Sequence, residues 1–353
     1  MRLNVAMVKR RLHRALARRH VDIRSLATRT WTLCPEEVTT VPSAICLDGA
    51  AEKILGLSPW RSWDSERNMM RGGPVTHHAS IAHLIENVDL AGPYLYRGPA
   101  KSHPGYGAEA LWLRDSERGR AIESAHLTTS EAGSHFFGTF LRADMPMALL
   151  VGDGDTCISM MSKPYSHEEG YRALLGVPKA PTVSCARIKQ LTIYTDFSQN
   201  SSKLERYRAL RTNLRRSLVG GAVAARKEGV YIRRGRTGEL RLLQNEDEVE
   251  ALLRRRGFEV VDPAVDSAHD IARASLNARI VVGVEGSHLA HAIYTVADDG
   301  AFLVLQPPDR FSLAYKEFTD RLGIRYAFLV GDRTPDGFTM PLDDLQRLLD
   351  QLK

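Results

Sequence analysis

Ala278-Arg-Ile-Val-Val-Gly-Val-Glu-Gly-Ser-His-Leu-Ala-His291 decides the fold. A β-branched run, Ile280 to Val284, ends in Glu285-Gly286-Ser287, and a helical pattern follows with Leu289, Ile293 and Val296 on one face. Strand, glycine turn and helix in that order bring backbone N–H groups and a positive dipole end to the carboxyl edge of a parallel sheet. Open α/β sheets bind their ligands there, and phosphate is the usual ligand, so the diphosphate of a nucleotide is the expected occupant.

The pattern repeats on either side. Val230-Tyr-Ile-Arg233, Phe258 to Val261, Ala301 to Leu305 and Tyr326 to Val330 read as strands. Between them lie helices over Asn245 to Arg256, from Ser267 with the capping-box-like Ser267-x-x-Asp270, and over Phe311 to Leu322. Asn245 and Glu246 read as capping groups. Alternation of this kind gives βαβ units and a Rossmann-like parallel sheet, here without G-x-G-x-x-G.

The first half is less regular. Ile45 to Leu47, Ala148 to Val151 and Leu191 to Tyr194 are strand candidates, and Glu168 to Leu175 is helical. A second α/β domain is expected, joined through Asp196-Phe-Ser-Gln-Asn200 to a helix capped by Ser202-x-x-Glu205, with Leu204, Tyr207, Leu210, Leu214 and Leu218 as its apolar stripe. The expected organisation is a basic amphipathic segment over 1–29, an acceptor-side domain over 30–200, a nucleotide-sugar-binding domain over 201–340, and a final helix over 341–353 that crosses back onto the first domain.

A length of 353 residues allows two cores, and 25% charged residues with a net charge of +6 is too modest a bias to argue for a nucleic-acid partner. Cys34, Cys46, Cys157 and Cys185 are scattered and read as reduced thiols. With no apolar run near the roughly 18 residues that span a bilayer, a cytoplasmic location is expected. Val5, Val8, Leu12 and Leu16 form a stripe beside Lys9, Arg11, Arg14 and Arg18. That helix either docks on its own domain or lies on the inner face of an anionic membrane.

Tyr231-Ile-Arg-Arg234, Arg241, Asn245-Glu246, Gly257-Phe258-Glu-Val-Val261 with Pro263, Ala278, and Gly283-Val-Glu-Gly-Ser-His-Leu-Ala-His291, in that order, resemble glycosyltransferase family 61. The similarity is to bacterial members associated with capsular and other surface polysaccharides. Leu305-Gln-Pro-Pro-Asp309 and the hinge residues Asp196 and Asn200 with Lys203, Arg206 and Arg211 fit the same group. His135-Phe-Phe-Gly138 followed by Asp144-x-Pro146 matches it more loosely.

The resemblance implies a GT-B-like enzyme: two Rossmann-like domains facing a cleft, inversion at the anomeric carbon, a nucleotide-sugar co-substrate, a glycan or polysaccharide acceptor and no obligatory metal. The sugar stays open between hexosyl and pentosyl types. The family typically carries His-Gly-Ala where this chain has Glu285-Gly286-Ser287, which puts a carboxylate in place of a donor-facing histidine.

Such transfer needs a stabilised leaving diphosphate and a base for the acceptor hydroxyl. Arg233 and Arg234, just past a strand, carry forks that suit phosphate oxygens, unless one pairs with Glu239 or Glu246. Gly286 permits close approach, Ser287 caps the helix, and Glu285 either accepts from sugar hydroxyls or pairs with an arginine. His288, at the dipole's positive end, suits a neutral hydrogen-bonding role, and His291 a packing one. Asp144 and His135 are the base candidates that the resemblance implies.

Three rivals remain. Ala148-Leu-Leu-Val151 followed by Asp153-Gly-Asp155 would be the strand and Asp-x-Asp of a metal-dependent GT-A enzyme, or an ordinary turn. A pyruvyl transferase could share the carboxyl-terminal domain. A catalytically altered, glycan-binding homologue would explain Glu285. His77, His78 and His83 lack metal-ligand spacing.

Overall fold

In a computed structural model, which describes residues 2–17, 21–113, 120–235 and 241–353 (side chains of 3–12, 21–112, 120–235 and 241–353), the chain forms two units. Unit 1 comprises Met1–Glu36, His78–Arg172 and Val177–Arg206; unit 2 comprises Glu37–His77, Ala173–Gly176 and Tyr207–Lys353.

Unit 1 contains helix α1 (Val5–Ala17) and strands β1 (Arg29–Cys34), β2 (Ser80–Ala91), β3 (Tyr94–Arg97), β4 (Ala100–Ser102), β5 (Arg120–Leu127), β6 (Cys157–Ile158) and β7 (Cys185–Thr195). They form one sheet in the order β6-β5-β7-β2-β3-β4, with β1 also on β2. In place of the second Rossmann-like domain expected, the sheet is mixed. β7 runs parallel to β5 but antiparallel to β2, with Ala186 opposite Leu90 and Leu191 opposite Ile85. Ile85, Val88, Leu95, Leu127, Ile188 and Leu191 form its core. Alternation along β7 (Ala186, Ile188 inward; Arg187, Lys189 outward) leaves one face wet, the ordinary pattern of an antiparallel pair.

Unit 2 is the βαβ half read from the sequence. Helix α2 (Ser201–Val219) leads into it, followed by β8 (Lys227–Ile232), α3 (Glu246–Arg255), β9 (Phe258–Val261), α4 (Ala268–Ser275), β10 (Ala278–Val284), β11 (Ala301–Gln306), α5 (Lys316–Leu322), β12 (Arg325–Val330) and α6 (Leu342–Gln351). The order β9-β8-β10-β11-β12 is parallel throughout. Both faces are covered: Tyr231, Val282 and Leu303 join one core, while Val230, Val281 and Phe302 are equally buried on the other side. Continuous apolar runs, rather than alternation, are what such burial requires.

Several expectations are corrected. Ala148 to Val151 is no strand: Met145–Ala148 is helical and a turn follows. Ile45 to Leu47 contributes one bridge, Ile45 beside Ala327, on the β12 edge of unit 2, where it satisfies backbone groups an edge strand would leave open. Asn200, rather than Ser202, caps α2 by accepting from the Lys203 amide. Ser267 caps α4 as predicted. The last helix belongs to unit 2, where Leu345, Leu348, Leu349 and Leu352 share a core with Leu47. The stretch after Phe311 becomes helical only at Lys316.

Leu303 is fully buried at the centre of that core. Leu303→Ala should cost about 2–5 kcal/mol and Leu303→Met under about 1.5 kcal/mol, read from urea midpoints. Equal midpoints for the two variants would contradict this packing.

Candidate active site

Strand order 2-1-3-4-5 reverses direction between β8 and β10, and a ligand crevice opens at the carboxyl ends of the strands at such a switch point. β8 delivers Arg233 and Arg234 there, and β10 delivers Glu285 and Gly286. Arg234 Nη1 donates to the Glu285 carbonyl at 3.2 Å and Arg241 Nη1 donates to it at 2.8 Å. Arg241 also meets the Glu285 carboxylate at 2.5 Å, both side chains being about nine-tenths buried. Of the two readings for Glu285, the arginine pair is therefore the one present.

Gly286 makes this convergence possible. Its φ of +150° suits glycine, and a Cβ there would overlap the Arg234 guanidinium. Burial and then the neighbouring Arg241 charge hold Arg234 down to about 10, outweighing the opposing pull of Glu285; it stays charged at neutral pH. Tyr315 and Arg310 are also close enough to act on it. Two guanidinium groups held side by side with much of their surface buried favour an anion beside them.

The other predicted residues divide. Arg233 is not brought to Gly286. Its Nε meets Glu250 on α3 at 2.6 Å, with Glu246 at 4.0 Å and Asp247 at 3.9 Å. Glu239, the other partner considered, lies outside the described residues. Ser287 makes no capping bond, and Ser287–Ala292 is one six-residue 3₁₀ segment rather than an α-helix. So short a segment carries little dipole, and the positive potential falls to the arginines. His288 is buried, and burial followed by Arg234 holds it well below the ordinary histidine value, hence neutral. Neither of its ring nitrogens has a hydrogen-bond partner among the described residues. His291 is buried too.

Asn245 and Glu246 do not cap. Asn245 bonds the Met340 backbone through both side-chain atoms, and Glu246 accepts from Tyr231 Oη at 2.8 Å. The residue that sequence reading left without a role is Arg241, whose only signal was its place in the family pattern.

In unit 1, Asp144 ends a π-helical turn, Phe140–Asp144, of a kind often found at functional sites. Ser130 Oγ donates to its carboxylate at 2.6 Å, and the Ser130 amide lies 3.3 Å from both oxygens. Ser130 is itself the N-cap of the short helix Glu131–His135. Gly133 is obligatory, since a Cβ there would overlap the Asp144 oxygens. Burial pushes Asp144 up to about 7, against the lowering effect of the Ser130 bonds. Asp144 thus holds the cap of the helix that carries His135.

His135 Nδ1 lies 2.8 Å from the Glu131 carbonyl. A carbonyl only accepts, so that contact places the proton on Nδ1 and leaves the Nε2 lone pair for chemistry. Around the ring stand Tyr106 at 5.0 Å and His103 at 5.9 Å between centroids, with Tyr94 stacked on His103 at 4.1 Å.

The hinge residues form a buried network. Asp196 takes both terminal nitrogens of Arg206 at 2.9 Å, Lys203 at 3.1 Å and Ser80 Oγ at 2.6 Å. Burial raises Asp196, but these partners more than offset it and leave the carboxyl below its usual range. Asn200 bonds Ser80 Oγ and the His78 carbonyl. Asp196, Asn200 and Lys203 therefore tie the end of β7 to the start of α2.

Asp153-Gly-Asp155 sits in a turn after a helix, not at a strand end; Asp155 faces His126 at 3.7 Å. Among the described residues no group of three or more His, Cys, Asp or Glu is placed to hold a metal ion. His77 bonds Thr39, His78 meets Glu36, and His83 bonds Thr195.

Helix α1 docks in unit 1 by a different face from the one its pattern suggests. Asn4, Met7 and Arg10 are buried, while Val5 and Leu12 of the apolar stripe are 51% and 64% exposed. The side chains of Arg14, Leu16 and Arg18 lie outside the described residues. No helix among the described residues is long and apolar enough to cross a membrane.

The family model Glycosyltransferase 61 matches residues 112–303, more than half of the chain. The chain belongs to glycosyltransferase family 61, and it is a glycosyltransferase. The matched span contains His135, Asp144, Arg234, Arg241 and Glu285. No curated protein matches it.

Asp144 binds its proton more tightly folded than unfolded, so its contribution to stability is complete below about pH 4 and is lost as pH rises through about 7. Asp144→Asn keeps an acceptor for Ser130 and removes the titration. Between pH 4 and 8 its urea midpoint, relative to wild type, should rise. Parallel pH profiles would show that Asp144 is not buried in this way.

Proposed function

We propose that unit 2 binds the diphosphate of a nucleotide-sugar donor at the β8/β10 switch point, and that unit 1 supplies the base that activates an acceptor hydroxyl. The carrying observation is the convergence of Arg234 and Arg241 on the Glu285 carbonyl beside Gly286. As the bond from the anomeric carbon to the diphosphate oxygen breaks, charge grows on the leaving group, and two fixed guanidinium groups stabilise it without a divalent cation. His288, neutral and unpaired among the described residues, can hydrogen-bond a donor oxygen from the same side.

On the acceptor side, His135 Nε2 takes the hydroxyl proton as the acceptor oxygen attacks the anomeric carbon. One displacement of this kind inverts the configuration. Asp144 acts through Ser130 as a positioning residue. The exposed faces of Tyr106 and Phe136 beside His135 suit the apolar face of a sugar ring. This is the division of labour of a GT-B enzyme. The acceptor we assign is a glycan or polysaccharide of the cell surface type, on the resemblance of Gly283 to His291. Glu285, where the family usually has histidine, supports an active enzyme rather than a binding homologue, because its carboxylate pairs with and fixes Arg241.

We place the enzyme in the cytoplasm, at the inner face of the membrane. The outward Val5 and Leu12 beside Lys9 and Arg11 on α1 match an anionic lipid surface in both polarity and charge.

A nucleoside diphosphate at about 100 times its Kd should stabilise the protein by about 2.7 kcal/mol in a thermal shift. Arg234→Ala should abolish that shift. His135→Ala should keep it while lowering transfer by about 10²–10⁴. An undiminished shift in Arg234→Ala would reject the donor site, and full transfer by His135→Ala would reject the base.

A further inference from the structure

A second basic site lies in unit 1. Between α1 and the sheet is a cavity of about 200 Å³ lined by Lys9, Arg10, Asn87, Asp89, Arg97 and Arg187. Lys9 and Arg10 come from α1, Asn87 from β2, Arg97 from the end of β3 and Arg187 from β7. Arg187 is satisfied, with Nη1 at 2.8 and 2.9 Å from the two oxygens of Asp89. Arg10 is not. Its residue is 7% exposed, and its Nε, fully buried, has no hydrogen-bond partner among the described residues. No carboxylate among the described residues pairs with Lys9, Arg10 or Arg97.

A buried guanidinium without a counter-ion is costly, and it persists where something outside the chain supplies the negative charge. We propose that this cavity binds a phosphate group. The planar fork of Arg10, with Arg97 and Lys9 around it, matches the several oxygens of a phosphate better than the two of a carboxylate. Asn87, at a positive φ of 57°, adds an amide at the rim. The phosphate has two chemical sources, the headgroup of an anionic lipid and a soluble phosphate ester. Val5 and Leu12, exposed on the same helix, make the lipid arm necessary in the test.

The intact protein is titrated calorimetrically with inorganic phosphate. In parallel it is sedimented with phosphatidylcholine vesicles with and without phosphatidylglycerol. The site requires that at least one phosphate probe binds, and that Arg10→Gln and Arg97→Gln each weaken it about tenfold. Should Arg10→Gln fail to fold, Arg97→Gln, on a half-exposed strand end, decides alone. Phosphatidylglycerol-dependent sedimentation lost in Arg97→Gln identifies the lipid source. Phosphate binding with no vesicle preference identifies the soluble one. Binding of neither probe, or binding retained by both glutamine variants, overturns the proposal. Because the readout needs no nucleotide, its failure leaves the donor site untouched, and the reverse holds.

Discussion

Everything at the carboxyl edge of the parallel sheet turns on one carbonyl. The backbone oxygen of Glu285 accepts from two arginines, Arg234 after β8 and Arg241 further along the same connection. Arg234 reaches it because residue 286 has no Cβ, and Arg241 passes close to the same point. A single atom at the switch point thus fixes two cations that would otherwise repel one another, with the Glu285 carboxylate holding the second in place. The cost is visible in Arg234, which burial and Arg241 hold below its ordinary value. An anion bound there, as proposed, would offset that cost.

That edge was legible in the sequence because a parallel sheet buried on both faces writes itself as unbroken apolar runs, and each run of unit 2 became a strand. The turn after β10 was legible for the same reason, as Gly286 punctuates it. What the sequence pattern could not settle was direction within a pair of like residues. Arg233 and Arg234 are adjacent and chemically equal, but successive residues leaving a strand point apart, so one meets Glu250 and the other Gly286. Arg241 was hidden by its distance in sequence, since only the fold brings it to β10. The helix after Ser287 was over-read: Leu289, Ile293 and Val296 are buried because the whole segment is enclosed, not because they form one helical stripe.

Unit 1 resisted reading for a related reason. Its mixed sheet pairs β2 with β7 across more than ninety intervening residues, a register that no local pattern carries. The loosely matching His135 and Asp144 are linked only through Ser130, which caps the helix of His135 and bonds Asp144, and Gly133, which lets Asp144 approach. Helix α1 shows the limit of amphipathic pattern most plainly. Val5 and Leu12 of its apolar stripe face outward while Asn4, Met7 and Arg10 dock, because a polar residue with a partner can be buried as readily as a leucine.

The paired arginines are proposed to hold a leaving diphosphate. A crystal structure of the protein with a nucleoside diphosphate tests it most directly. Phosphate oxygens are expected within about 3 Å of the guanidinium nitrogens of both Arg234 and Arg241, beside Gly286. A nucleotide whose phosphates touch neither arginine, or that binds away from the β8 and β10 ends, would contradict it.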